Sequence, residues 1–270
     1  MRLKTKMLNQ QNQFFYLIRI RFLGFRYSGW QIQPNAKTIQ EMVNKTFRCI
    51  FEHEDFKTLG CSRTDSRVSA EDFAFELFTK ERHKEESLLK LLNENLPSDI
   101  EALEVKEVSK EFNIISDPKV KEYNYLFSNE SRTHPYCSPF MVNISDSLDI
   151  KLMQKGAALF EGEHNFQKYC YKPSLMTNFV RTIELSEIIE NTKYTANFFP
   201  KKSWIYRVQG KGFLRYQVRI LIGTLFELGK KKITLDDIKE SLTGGDNERL
   251  GDIAPSSGLS LQEVQFLNEN

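Results

Sequence analysis

Three stretches combine residue types that can do chemistry at close spacing. In Arg63-Thr64-Asp65-Ser66-Arg67 two arginines flank one carboxylate, each two residues away. Clustered cations favour the ionised form of Asp65, and partial burial strengthens the coupling, so the pattern can hold a fixed anion at the mouth of a cleft. On local pattern alone an ordinary structural turn is the stronger reading, since Asp bonds nearby backbone in turns. In Phe213 to Phe226, the residues Val218, Leu221, Ile222 and Leu225 form an apolar helical face, with Arg215 and Arg219 one turn apart on a shared stripe. They read either as two solvated arginines or as one, Arg219, at the edge of the core. A buried guanidinium wants a carboxylate partner, and Asp65 is one candidate. In Lys121-Glu122-Tyr123-Asn124-Tyr125 the aromatics are either core or a platform for a nucleobase, where stacking contributes roughly 1–3 kcal/mol per base. Lys201, Lys202, Lys211, Lys230, Lys231 and Lys232 read as phosphate contacts or as solvated surface.

These residues need a scaffold, and 270 residues suffice for one large domain or two small ones with a sizeable core. With 40% hydrophobic and 27% charged residues the chain reads as soluble and globular. A net charge of +2 neither requires nor excludes nucleic acid, because local charge matters more than the sum. Cys49, Cys61, Cys137 and Cys170 have no CxxC spacing, and His53, His83, His134 and His164 are as dispersed, which argues against a metal site or a disulfide framework and fits a reducing, cytoplasmic setting. No apolar run reaches membrane-spanning length, so no membrane association is expected. Residues 1–13 carry Arg2, Lys4 and Lys6 without the apolar core of a signal peptide, and read as a disordered extension.

Alternation predicts strands over Phe14–Phe22, around Phe73–Phe78, over Ala102–Val108, Lys121–Phe127, Phe179–Ile189, Ser203–Val208 and Leu259–Phe266. Helical spacing predicts helices after Thr38 (which forms a capping box with Glu41), over Lys84–Asn95, Ser147–Phe160, about Phe213–Leu228, and Thr234–Leu242. Gly162 to Phe166 reads as a turn. Strands and helices mix without regular βαβ alternation, which predicts an α+β fold with a largely antiparallel sheet. The least organised stretch, 128–146, suggests a division into 14–130, carrying Asp65, and 131–270.

Together the stretches resemble the TruA-type tRNA pseudouridine synthase family, from about residue 15 to residue 266. Seven motifs stand in the family's order: Tyr27 to Gln33 as Y-x-G-W-Q-x-Q, Arg63-Thr64-Asp65 as R-T-D (with Val68-Ser69-Ala70 following), Asn95 to Ile100 as N-L-P-x-D-I, Lys121 to Tyr125 as basic-x-Y-x-Y, Arg181-Thr182-Ile183 as R-T-I, Gly212 to Leu225 as G-F-x-x-x-x-V-R-x-x-x-G-T-L, and Ala254 to Leu261 as A-P-x-x-G-L-x-L. Any one is weak; all in order are specific.

The resemblance implies two similar α+β halves that form a long central sheet flanked by helices, with an RNA-binding cleft between them. It implies isomerisation of uridine to pseudouridine in structured RNA, with tRNA as substrate, the anticodon stem-loop just 3′ of the anticodon as default target, a homodimeric enzyme, and no cofactor or metal. By motif position Asp65 matches the catalytic aspartate, Tyr123 the tyrosine that stacks on the flipped base, Arg219 the arginine that pairs with the aspartate, and Arg63 an arginine linked to base flipping. Trp30, Gln31, Arg67, Lys121, Lys211 and Arg215 are further candidate RNA contacts. Three positions depart from the family pattern: Arg67 stands where a glycine is usual, Ile115 where an arginine is frequent, and Ile220 where an asparagine follows V-R. If position 67 requires a positive φ, an arginine there is awkward, and the turn is either rebuilt or turned to RNA contact. These departures bear on RNA contacts more than on chemistry. They also motivate a rival reading, a non-catalytic RNA-binding or tRNA-folding protein on the same scaffold. A zinc nucleobase deaminase is a poor fit, because H-x-E with P-C-x-x-C is missing.

Overall fold

A computed structural model of the chain describes residues 14–245 and 248–267. The expected disordered extension, 1–13, lies outside the described residues. The chain divides into two compact units, one ending at Asp117 and the other running from Pro118 to Leu267.

In the first unit, Phe14–Phe22 is strand β1, whose alternating Tyr16, Ile18 and Ile20 are buried. Helix α1 (Ile39–Phe51) follows, with Thr38 Oγ1 accepting from Glu41 N–H at 3.3 Å. The Glu41 carboxylate pairs with Lys45 at 3.0 Å, so the cap is made from the threonine side. Strands β2 (Phe56–Gly60) and β3 (Ser69–Thr79), helix α2 (Glu85–Asn95) and strand β4 (Ile100–Val108) complete the unit. The strands pair antiparallel in the order β4-β1-β3-β2. Phe73, Phe75 and Leu77 of β3 are fully buried, with Phe47 of α1 against Phe75. The strongly amphipathic α1 thus covers one face of the sheet.

The second unit opens with β5 (Lys119–Ser128) and the short β6 (Val142–Asn143), which pair in parallel. Helix α3 (Ile150–Ala158), strands β7 (Gly162–Asn165), β8 (Val180–Glu190) and β9 (Trp204–Gly210), helices α4 (Gln217–Gly229) and α5 (Leu235–Ser241) and strand β10 (Leu259–Phe266) follow. Strands β10-β5-β9-β8-β7 pair antiparallel. The α+β expectation holds, with antiparallel sheets in both units.

Several expectations shift. The units divide at Asp117/Pro118, earlier than the 130/131 division read from the loop-rich stretch, because β5 is bonded to β9 and β10. Gly162 to Asn165 is a strand, since its backbone finds a ladder partner in β8 that four polar residues cannot announce. Helix α4 starts at Gln217, after Tyr216 with a left-handed φ of 62°, so residues 213–216 are not helical. Arg215 therefore precedes the helix, and the shared helical stripe of Arg215 and Arg219 does not exist. Among the described residues, no helix is long and apolar enough to cross a membrane.

Candidate active site

The Asp65 turn is assembled from three separated motifs. Val68 N–H donates to Asp65 O at 3.2 Å, closing a reverse turn with Arg67 at its third position. Arg67 has a φ of 66°, a region that disfavours residues with a Cβ and favours glycine. The turn is thus not rebuilt around the arginine; the arginine takes the left-handed conformation, and the fold holds it there. Its N–H donates to Tyr27 O at 2.9 Å, Ser66 Oγ donates to the same oxygen at 3.4 Å, and its guanidinium lies 5.6 Å from the Phe25 ring centroid.

The loop that supplies Tyr27 is pressed onto the turn by glycines. Gly29 has a φ of +85°, and a Cβ there would come within 2.3 Å of Thr64 O. A Cβ at Gly24 would come within 1.9 Å of Val68 O. Tyr27 is anchored in turn by Asp99, of the third motif: its hydroxyl donates to Oδ1 at 2.7 Å, while Arg26 reaches Oδ2 at 2.7 Å. Burial and the Asp99 bond push the Tyr27 phenol well above its ordinary range, so it stays a neutral donor. Asp65 is half-buried, while Arg63 and Arg67 are exposed.

Trp30 is a correction. At 1% exposure it is core, its ring 4.4 Å from Phe73 and 5.5 Å from Phe75, so it shapes the loop and offers no face to RNA. Gln31 is exposed, and its Nε2 donates to Gln40 Oε1 at 3.1 Å. Gln40 is 7% exposed and donates to Thr58 O at 3.1 Å. Gln31 and Arg63 share the rim of a groove of about 460 Å³ with Ile115, one of the departing positions.

In the second unit another three motifs meet. Tyr123, on β5, is 9% exposed, opposite Val208 of β9 and Leu261 of β10, with the Phe213 ring edge-on at 5.3 Å. Tyr125 is fully buried, and its hydroxyl donates to Pro255 O at 2.8 Å, so this second aromatic is structural. Burial drives the Tyr125 phenol far above its ordinary range. Arg219 Nε donates to Ala254 O at 2.7 Å, Ala254 N–H donates to Arg219 O at 3.1 Å, and the guanidinium lies 4.8 Å from the Tyr216 ring centroid. Gly223, one turn further along α4, permits this approach, because a Cβ there would fall 1.8 Å from Asp252 O. Lys121 pairs opposite Gly210 and is 9% exposed, whereas Lys211 and Arg215 are exposed. Lys230, Lys231 and Lys232 are ion-paired to Asp146, Glu227 and Asp149, and Lys202 to Glu190.

Sequence reasoning passed over Phe25, Tyr27 and Asp99 as supports of the turn, and Tyr216 as the support of Arg219. Tyr27 and Asp99 lie inside quoted motifs, so the signal was present; Tyr216 has none beyond its place beside Arg215. Among the described residues no group of three or more His, Cys, Asp or Glu side chains is arranged to hold a metal ion.

A sequence profile of a family described as tRNA pseudouridine synthase matches residues 157–267. Over 250 residues the chain is 37% identical to tRNA pseudouridine synthase A of Exiguobacterium sibiricum, covering 92% of this chain and 94% of that protein. It is 33% identical to tRNA pseudouridine synthase A of Aquifex aeolicus and 32% identical to that of Clostridium acetobutylicum, each over 249 residues, 92% of this chain and 98% of the relative. A relative 37% identical over 92% of this chain and 94% of its own length means that the chain belongs to the TruA family of tRNA pseudouridine synthases.

Proposed function

We propose that this protein isomerises uridine to pseudouridine in tRNA, in the anticodon stem-loop, with Asp65 as the nucleophile and without a cofactor. The reaction breaks the bond between C1′ and N1, rotates the freed uracil and joins C1′ to C5. C5 loses its proton and N1 gains one, so atoms and electrons balance within the substrate and no co-reactant is consumed. The base must leave its stack first, at a cost of a few kcal/mol, and Tyr123 offers it a ring. By motif position Arg219 is the cation assigned to the aspartate, and Arg63 a contact to the RNA. Exclusion of water keeps the detached intermediate from being hydrolysed.

The observation that carries this reading is the Asp65 turn. A half-buried carboxylate stands on a turn whose third residue is held in a left-handed conformation, and two further motifs supply its supports. Backbone strain of this kind costs of order 1–3 kcal/mol and persists where the surrounding structure over-determines it, commonly at functional sites.

The test is tritium release from an unmodified tRNA transcript labelled at uracil C5. Release by the wild type and none by Asp65→Ala, with RNA affinity within a few fold, is the expected result, and mapping the product then locates the target base. Full release by Asp65→Ala would remove the nucleophile assignment. Tight binding without release by the wild type would favour the RNA-binding reading instead.

A further inference from the structure

Beside Arg219 the second unit carries a cluster that joins Arg215 and Tyr216, of the Gly212–Leu225 motif, to Tyr171, Lys172 and Arg249, which lie in no motif. Tyr171 and Tyr216 stack face to face, with centroids 4.9 Å apart and rings inclined by 14°. Their backbones are tied, because Tyr171 N–H donates to Arg215 O at 3.0 Å. Cations surround this pair. The Arg215 guanidinium carbon lies 5.3 Å from the Tyr171 centroid and 5.4 Å from that of Tyr216. The Arg249 guanidinium lies 5.9 Å from Tyr171, and the Lys172 ammonium 5.3 Å from the same ring. Arg219 completes the cluster over Tyr216.

The charge balance here is unlike that elsewhere in the unit. Lys230, Lys231 and Lys232 are as crowded, but Glu227, Asp146 and Asp149 neutralise them. Arg215, Arg249 and Lys172 are exposed, and among the described residues none has a carboxylate within ion-pairing distance. Like charges held side by side repel, and Arg215, Arg249 and Lys172, which make no ion pair among the described residues although Glu227, Glu248 and Asp252 share a groove with Arg249, are placed to take an anion from outside. Stacking also sets the geometry. A guanidinium held over an aromatic ring by cation–π attraction needs no hydrogen bond to the ring, so its N–H groups remain available for contact with phosphate.

We propose that Tyr171 and Tyr216 form a rigid plinth that presents Arg215 and Arg249 to the phosphodiester backbone of the RNA substrate. The proposal rests on the reading of tRNA as substrate, and it adds a site for that RNA outside the reacting nucleotide. Tyr171 and Tyr216 are positioning residues in it; the arginines make the contact.

The test is the salt dependence of binding, measured by fluorescence anisotropy on an unmodified tRNA transcript between about 50 and 200 mM salt. Arg215→Ala/Arg249→Ala is expected to bind about tenfold more weakly near physiological salt, and to lower the steepness of log K against log salt by about 0.7–0.9 for each phosphate that the double variant no longer neutralises. Most of the kinetic loss is expected in KM. Tyr171→Leu, which keeps an apolar side chain and removes the ring, should show part of the same loss, and Tyr171→Phe should bind like the wild type. Unchanged affinity and slope in a double variant that melts like the wild type would overturn the proposal, as would wild-type binding by Tyr171→Leu. The binding measurement needs no turnover, which separates the two readings. A changed slope together with a wild type that releases no tritium would leave the platform and remove the activity; normal turnover with an unchanged slope would remove the platform alone.

Discussion

The Asp65 turn and the start of α4 solve one backbone problem in two ways. Each places a non-glycine residue in the left-handed region beside a candidate site residue: Arg67 at a φ of 66° and Tyr216 at a φ of 62°. At the turn the support is main-chain. Tyr27 O accepts the Arg67 N–H, and Gly29 and Gly24 let a second loop lie directly on the turn's backbone. At α4 a main-chain turn is present too, with Gln217 N–H donating to Leu214 O at 3.1 Å and Tyr171 N–H to Arg215 O at 3.0 Å, and side chains add to it. The Tyr216 ring is stacked on Tyr171 and covered by Arg215 and Arg219, and the Gln217 side chain accepts from Leu214 N–H at 2.7 Å. The first arrangement is nearly indifferent to what stands at position 67, as long as the φ is reached. The second depends on the identity of position 216.

That difference can be broken or sharpened by experiment. The largest effect belongs to chemistry. Asp65→Asn keeps the size and turn preference of the side chain but removes the anion; turnover is expected to fall at least ~10³-fold. A matching loss of thermal stability would mean that the carboxylate serves the turn and not the reaction.

The next effect separates the two units by pH. Glu76, on β3, is 2% exposed, with Ile114 N–H donating to its carboxylate at 3.5 Å. Burial pushes its pKa up to about 7, with Asp117 adding to the rise. A folded pKa above the unfolded value means that the stabilising form is the protonated one. The contribution is full below the unfolded value of about 4.5 and is lost as pH rises through about 7, up to roughly 3 kcal/mol. Hydrogen exchange at pH 5 and pH 8 should show the first unit losing protection at the higher pH. Glu76→Gln should flatten the profile, and an unchanged slope in that variant would reject the assignment.

Steric effects come next. Gly29→Ala is expected to destabilise by about 2 kcal/mol, because the new methyl meets Thr64 O and the positive φ is strained. It should lower turnover as well, since the collision is with the turn that carries Asp65. Gly223→Ala drives a methyl into Asp252 O and should displace Arg219 by moving Ala254. Chemical denaturation of both variants checks the pair; a neutral Gly29→Ala would show that the loop can withdraw from the turn.

The smallest effect is the most direct comparison. Arg67→Gly should stabilise the protein by up to about 1 kcal/mol, through relief of the left-handed strain. Tyr216→Gly relieves the same strain but removes the stack, so its melting temperature should fall. Equal responses at the two positions would mean that the supports do not differ as described.

Much of this organisation was legible in the sequence because it is local. Alternation placed β1 and β10 to the residue, and helical spacing, with Thr38 as a cap, placed α1 and α5. These patterns are set by the period of the backbone itself. The ordered motifs pointed to the family for the same reason: residue types and spacings survive in one dimension. What failed were statements about neighbours. Trp30 reads as a binding aromatic until Phe73 and Phe75 are seen to enclose it. Arg215 and Arg219 have helical spacing, yet a left-handed Tyr216 separates them, because Tyr171 and the cations around it favour the ring where it is.

The sequence by itself determined the elements, the composition of the site and its family, since these depend on periodicity, turn chemistry and motif order along the chain. Only the tertiary structure decided that Tyr27 and Asp99 hold the Asp65 turn, that a non-glycine residue stands there at a positive φ, and that Arg249 joins Tyr171 and Arg215 in one cluster. Those facts are set by contacts between residues tens of positions apart. Close approach of backbones, enclosure of a ring and an uncompensated group of charges arise only once the chain has packed.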